Sequence, residues 1–198
     1  MVKRRTGFTV EYGPVRAEDL PAYMEGGKAT PEMRQVRFNM RDRAVLVPVE
    51  MKNYLLWTVL AGFLATVLLG WEGLAAVAVL FLTGTVLFPL LLPFLPFKAF
   101  SAKGFFLGAV VAVLFALTLV WAEGGSLDPS TVLTAVAWAL LISPWVAYLA
   151  LNFTGSSTLT SRTGVRKEIF RYIPLMAVTF IIGAVLMLVY RLDVGGWF

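Results

Sequence analysis

A hydroxyl-rich and basic connection around residue 160 holds the side chains of this chain best suited to chemistry. Seven Ser or Thr residues fall between Thr154 and Thr163, and two glycines nearby allow tight backbone turns. Hydroxyls, free amides and guanidinium groups together suit an anion or a docking partner. The candidate contacts are Asn152, Thr154, Ser156, Ser157, Thr160, Arg162, Arg166 and Lys167.

Three interpretations of this connection stay open. It binds the phosphate of a ligand, it docks a protein partner, or it is a capped loop whose arginines meet lipid phosphates. The lysine spacing is not that of a P-loop, which excludes the common nucleotide-binding motif.

Histidine and cysteine are both absent from the chain. Their absence removes the imidazole base, the thiolate nucleophile, disulfides and the usual ligands of transition metals. No Asp, Glu, Lys or Arg lies centrally in an apolar run, whereas proton relays and ion pathways usually need one. We therefore assign this chain no catalytic residue, no metal site and no cofactor-binding residue.

A second unusual segment is the proline run FPLLLPFLP at residues 88–96. Proline lacks an N–H and clashes with the preceding helical turn, so Pro89, Pro93 and Pro96 do not fit one regular helix. We expect the helix to break near Pro89 and to continue as an extended or re-entrant stretch towards Lys98. The alternative is a kinked helix end at the membrane interface, and Pro144 predicts a similar kink further along.

Five apolar runs must position these segments. They cover residues 53–70, 73–95, 104–122, 131–151 and 172–190. Each has about the 20 residues that a helix needs to cross a bilayer, and backbone in lipid must be helical or closed into a barrel. The sequence predicts an all-α membrane protein with five transmembrane helices over residues 53–191.

The placement of charge predicts the orientation of these spans. Ten Lys or Arg residues precede the first span, and the second and fourth connections are basic, whereas the first and third carry only acidic charges. Basic connections stay in the cytoplasm, so we expect a multi-pass inner-membrane protein with its N-terminus inside and residues 192–198 outside. The same pattern accounts for the net charge of +5, so the basic charge does not indicate nucleic-acid binding.

Residues 1–52 form a polar head or linker. Alternating side chains predict strands over residues 8–12 and 36–41, and residues 44–49 predict a third, with Pro48 favouring an edge position. Residues 18–26 predict a short helix ending at Gly26 and Gly27, and Thr30 followed by Pro31 is typical of a helix start. These signals predict a small cytoplasmic α/β head.

Three groups of segments resemble one known family when taken together. The first comprises YGPVRAEDLP at residues 12–21 and KATPEMR at 28–34; the second, FPLLLPFLP at 88–96 and AFSAKG at 99–104; the third, NFTGS at 152–156, TS at 160–161 and GVR at 164–166. They resemble the C-terminal membrane region of the corrinoid proteins of microbial mercury methylation, a family related to the corrinoid subunit of acetyl-CoA synthase. The likeness covers the chain from about Gly7 onward.

The resemblance implies a membrane domain that works with cobalamin and a ferredoxin-type protein. In that family a cytoplasmic corrinoid domain precedes the membrane region, and a cysteine on its cap helix approaches the cobalt. This chain has no cysteine and no corrinoid domain, so no catalytic residue is carried over. We expect the cobalamin on a partner or on a missing domain.

The resemblance favours a membrane-anchoring and docking domain of a corrinoid-dependent methyltransferase system. It would hold a cobalamin domain and a ferredoxin partner at the inner face of the lipid bilayer. The alternatives are a permease for a small molecule or metal complex, with the proline run lining a pore, and a membrane scaffold without a ligand.

Overall fold

The computed structural model describes residues 6–8, 13–35, 39–122, 124–125, 128–156 and 162–194. The chain divides into two compact units, Met1–Asn39 and Met40–Phe198. The first contains a 3-10 helix, Ala17–Asp19, and α1, Leu20–Gly26. The second contains five long helices, namely α2 (Met40–Leu69), α3 (Trp71–Leu91), α4 (Phe100–Ala122), α5 (Pro129–Ser156) and α6 (Arg162–Val194).

The five long helices confirm the predicted membrane class. Within the described residues, each is long and apolar enough to cross a bilayer. Their ends differ from the limits of the apolar runs, and α2 begins 13 residues before residue 53. The reason is that low polarity marks the part of a helix that suits lipid, whereas the hydrogen-bonded helix continues into polar sequence.

The head is not the predicted α/β unit, because its described residues form helices and turns. Residues 44–49 were expected as a strand, which is wrong: they lie inside α2 with Pro48 in the helix. This apolar run does not alternate, and a short apolar run fits a helix as well as a strand. Of the other two expected strands, residues 9–12 and 36–38 lie outside the described residues, while Met40 and Arg41 are helical.

The short helix of the head is confirmed. It ends at Gly26, and Gly27 adopts a left-handed conformation with φ of 67°, which glycine tolerates best. Thr30 accepts a hydrogen bond from the backbone N–H of Met33 at 3.3 Å, as an N-cap residue does. The residues that follow form a turn rather than a helix.

The core of the second unit forms around α5. Its buried cluster joins Ala76 of α3, Phe115 of α4, Trp138 of α5 and Met187 of α6. Half of the apolar window of α5 is buried, against 6% of that of α2. Helix α5 is therefore central, and α2 turns most of its surface to the surroundings.

Glycine lets α4 and α5 approach closely. A Cβ added at Gly104 would lie 2.6 Å from the Cα of Ala147, and one at Gly108 would lie 2.7 Å from the Cα of Ser143. These two glycines are four residues apart, the spacing that brings membrane helices into backbone contact. The close pair fixes the start of α4, next to which the candidate site lies.

Candidate docking site

The connection between α3 and α4 contains the proline run, and its residues 92–99 are here called the proline turn. Pro89 lies in the last turn of α3, which remains helical to Leu91. Pro93 and Pro96 both lie in the proline turn, exposed to the surroundings. The helix therefore passes through Pro89 and ends before the second proline.

A π-helical turn, Thr83–Leu87, accommodates Pro89 within α3. A proline ring at residue 89 removes the donor that the carbonyl four residues earlier would use. The wider π turn changes the hydrogen-bond pattern before the proline: the backbone N–H of Phe88 donates to the carbonyl of Thr83, five residues back. One extra residue in the turn thus lets α3 continue to the proline turn without ending at Pro89.

Two cations satisfy the carbonyl groups at the end of α3. Arg43 of α2 is 7% exposed, and its Nη1 donates to the carbonyls of Pro89 at 3.4 Å and Leu90 at 3.1 Å. Lys103 of α4 donates from Nζ to the carbonyl of Leu92 at 2.7 Å. The last carbonyls of a helix lack partners within it and carry the negative end of its dipole, so both cations are well placed.

A single carboxylate satisfies the start of α4. Glu168 of α6 accepts hydrogen bonds from the backbone N–H groups of Phe100 at 3.3 Å and Ser101 at 3.1 Å. It also accepts one from the Ser101 hydroxyl at 3.1 Å, and Ser101 is fully buried. Negative charge at a helix start is favourable because the free N–H groups and the dipole are positive there.

Arg43, Lys103 and Glu168 therefore form a clamp on the proline turn, and they come from three different helices. The clamp carries positive charge where α3 ends and negative charge where α4 begins. Beneath it, the ring of Phe88 lies 6.4 Å from that of Phe100 and 6.0 Å from that of Phe153. Polar and aromatic contacts together hold the two helix ends that flank the turn.

The outer surface of the proline turn is apolar and exposed. Phe94 is 71% exposed and Phe97 is 45% exposed, with Lys98 exposed beside them. Leu92 and Leu95, on the inner side, are buried. The turn thus presents two aromatic rings and a cation on a backbone that is fixed from below. We call Pro93, Phe94, Pro96, Phe97 and Lys98 the docking surface.

The described residues at both ends of the hydroxyl-rich connection are helical. Helix α5 runs through Ser156 and α6 starts at Arg162, so the predicted contacts Thr154 and Ser156 lie in the last turn of α5. Ser157 and Thr160 lie outside the described residues. Asn152 is exposed, and its side chain hydrogen-bonds to that of Tyr54 on α2.

The basic residues of that connection lie on the first turns of α6. Arg166 and Lys167 are exposed, and the Arg166 guanidinium lies 5.7 Å from the centre of the Phe170 ring. Arg162 is the first residue of the helix. The clamp residue Glu168 follows directly, which was missed in the sequence. Its one signal is that a single carboxylate interrupts the basic stretch from Arg162 to Arg171.

The opposite end of the bundle is tied by different polar contacts. Arg191 of α6 donates to the carbonyl of Leu69 at 2.5 Å and to Glu72 at 3.3 Å. Asp128 caps α5, and hydrogen bonds from the hydroxyl and the backbone N–H of Thr131 lower the pKa of this carboxyl. These contacts fix the helix ends and leave the docking surface at the other end.

No cluster of three or more metal-ligating side chains occurs among the residues described. Comparisons of the chain with protein-family models, with curated proteins and with solved structures find no match. A function for this chain is therefore inferred from its own residues, above all from the clamp and the docking surface.

Proposed function

We propose that this chain is a membrane-anchoring and docking domain of a corrinoid-dependent methyltransferase system of the mercury-methylating type. Its five long apolar helices support the anchoring role. One observation carries the docking role: the clamp fixes the proline turn while Phe94 and Phe97 remain exposed. The resemblance of the sequence supplies the kind of partner.

A rigid, exposed aromatic turn suits docking for physical reasons. Aromatic rings dominate the binding energy of protein interfaces, and a surface that is already ordered loses little entropy when it binds. The clamp supports this order, since Arg43 holds the end of α3 and Glu168 holds the start of α4, the two points between which the turn runs. Lys98 adds a charge that favours an acidic partner surface and speeds the encounter.

The amino-acid composition indicates which role this chain has and which role a partner must have. Without histidine or cysteine, the residues of this sequence supply no imidazole and no thiolate to a methyl transfer. A corrinoid, when bound, supplies the cobalt that carries the methyl group. We place it on a partner or on a domain beyond this sequence, next to a ferredoxin-type protein. This chain anchors and positions that domain.

We propose that the docking surface faces the cytoplasm, with the N-terminus inside and the inner membrane as the location. The basic residues near the proline turn support this orientation, because basic connections stay inside. The absence of native cysteine makes the test direct. In intact cells, a membrane-impermeant thiol reagent should label Ala122→Cys and spare Lys98→Cys. The reverse labelling would overturn the orientation.

Photo-crosslinking tests the docking role. A photoreactive phenylalanine at Phe97, in the native host, should crosslink to a corrinoid-bearing chain that mass spectrometry then identifies. The matched control is the same probe at Trp71, which is 64% exposed at the far end of α3. Adducts that are the same at both positions, or no corrinoid-bearing chain at Phe97, would contradict the proposal.

A further inference from the structure

A groove of about 310 Å³ lies between α5 and α6, and none of its lining residues belongs to the docking surface. Its lining is apolar and includes Pro144, Trp145 and Tyr148 of α5 with Ile173, Met176 and Phe180 of α6. Pro144 and Met176 are buried at its floor, whereas Trp145 and Phe180 are 45% and 37% exposed. The groove is therefore open along one side, where a bilayer would meet it.

The groove exists because the two helices touch at one level and carry larger side chains at the next. A Cβ added at Gly183 of α6 would lie 2.9 Å from the Cβ of Leu140, so the helices are in close contact there. Towards the start of α6 the walls are aromatic. The ring of Trp145 meets those of Tyr148 and Phe180 edge to face, each with a centroid distance of 5.9 Å.

An apolar groove of this volume between two helices that are long and apolar enough to cross a bilayer fits part of an acyl chain. Lipid tails are as apolar as the side chains of the groove, so a tail gains little hydrophobic free energy by leaving the bilayer. Shape alone therefore selects weakly among lipids. Selection must come from the polar headgroup, at the end of the groove where the chain leaves the apolar lining.

A cation stands at that end of the groove. Arg166 precedes Ile173 by seven residues, which is two helical turns, so both lie on the same face of α6 about 10 Å apart. Arg166 is exposed, and its guanidinium lies 5.7 Å from the centre of the Phe170 ring. On α5, Asn152 follows Tyr148 by one turn and is also exposed. That end of the groove thus offers the positive charge of Arg166, while the side chain of Asn152 bonds to Tyr54 of α2.

We propose that the α5–α6 groove binds an anionic phospholipid, with one acyl chain along Trp145 and Phe180 and the phosphate at Arg166. This proposal goes beyond the docking function and does not depend on it, because the groove and Arg166 would bind a lipid without any protein partner. The charge of Arg166 complements the phosphate, and the aromatic walls contact the part of the acyl chain nearest to the headgroup.

Native mass spectrometry of the full chain in mild detergent tests the site. The protein is offered phosphatidylglycerol and phosphatidylcholine with identical acyl chains. We expect preferential retention of phosphatidylglycerol. Removing one cation near an anionic lipid lowers its affinity about fivefold, so Arg166→Gln should reduce retention by that factor. Arg171→Gln removes the same charge from the opposite face of α6 and should leave retention unchanged.

A second pair of variants tests the groove itself. Ala177 lines the groove and Val178 does not, although both are exposed neighbours on α6. Ala177→Phe fills the space and should abolish retention, whereas Val178→Phe should not, with unchanged thermal unfolding showing that both fold. Equal retention of the two lipids, equal losses for Arg166→Gln and Arg171→Gln, or retention by Ala177→Phe would each overturn the proposal.

Discussion

Replacement of Glu168 tests the clamp most sharply, because one carboxylate serves three donors. Glu168→Ala would leave the backbone N–H groups of Phe100 and Ser101 and the Ser101 hydroxyl without this acceptor. Loss of a helix cap costs up to about 2 kcal/mol, and a hydrogen bond to a charged group is worth about 1.5–3 kcal/mol. Because Ser101 is fully buried, water does not fully replace the carboxylate, and we expect a loss of about 2–3 kcal/mol.

Thermal unfolding in mild detergent measures this loss. For a chain of this size, each kcal/mol lowers Tm by about 2–4 °C, so Glu168→Ala should lower Tm by roughly 4–12 °C. Glu168→Gln keeps a carbonyl acceptor and should retain part of the stability. Lys167→Ala is the matched control, since it removes an exposed charge from the adjacent position of the same helix.

Two results would refute the reasoning about the clamp. One is a Tm of Glu168→Ala within about 1 °C of the Lys167→Ala control, since the estimated loss is several times larger. The other is an equal loss for Glu168→Gln and Glu168→Ala, which would mean that the acceptor oxygen contributes nothing. Either would remove the physical basis for a fixed proline turn.

Three further predictions concern the helix contacts and ends. Gly104→Ala should lower the free energy of unfolding by about 1–3 kcal/mol, because the added Cβ would lie 2.6 Å from the Cα of Ala147. Gly26→Ala is the control: nothing lies within 4 Å of a Cβ added there, so the same unfolding assay should show almost no change. Arg43→Met should cost about 1–3 kcal/mol in denaturant unfolding, because it removes a buried partner of the carbonyls that end α3; a neutral effect would argue against the contact. Asp128 has a pKa below its ordinary value of 3.8, so its contribution to stability is present above that pH and is lost as the pH falls through the lower folded-state pKa. Thermal scans should therefore separate Asp128→Ala from the wild type at pH 7 and bring the two together in acid, while a constant difference would contradict the assignment.

The membrane class could be predicted from the sequence because it depends on local composition. Runs of about 20 apolar residues leave the backbone few alternatives in lipid, and the five long helices follow from that. The ends of the helices are harder to predict from the sequence. Helix α2 starts at Met40, within polar sequence, and its early residue Arg43 bonds to carbonyls of α3 that lie 46 and 47 residues away, a contact that no local pattern reveals.

The candidate site could be predicted only in part. The prolines and the basic connection stood out as unusual residues, but their partners did not. Glu168 meets Ser101 across 67 residues, and no local pattern in one sequence encodes such a pair. The hydroxyl-rich segment was predicted as the connection that follows the apolar run at residues 131–151, and α5 continues into it through Ser156. Its small and polar residues are compatible with a helix end as well as a loop.

Gentle purification of the chain with its native genomic neighbours tests the central claim most directly. The visible spectrum and the identities of the bound chains are the readout, for the wild type and for the Phe94→Ser, Phe97→Ser double variant. The account predicts a corrinoid spectrum from a cysteine-containing partner with the wild type, and its loss with the double variant. A colourless, solitary wild-type protein would contradict it.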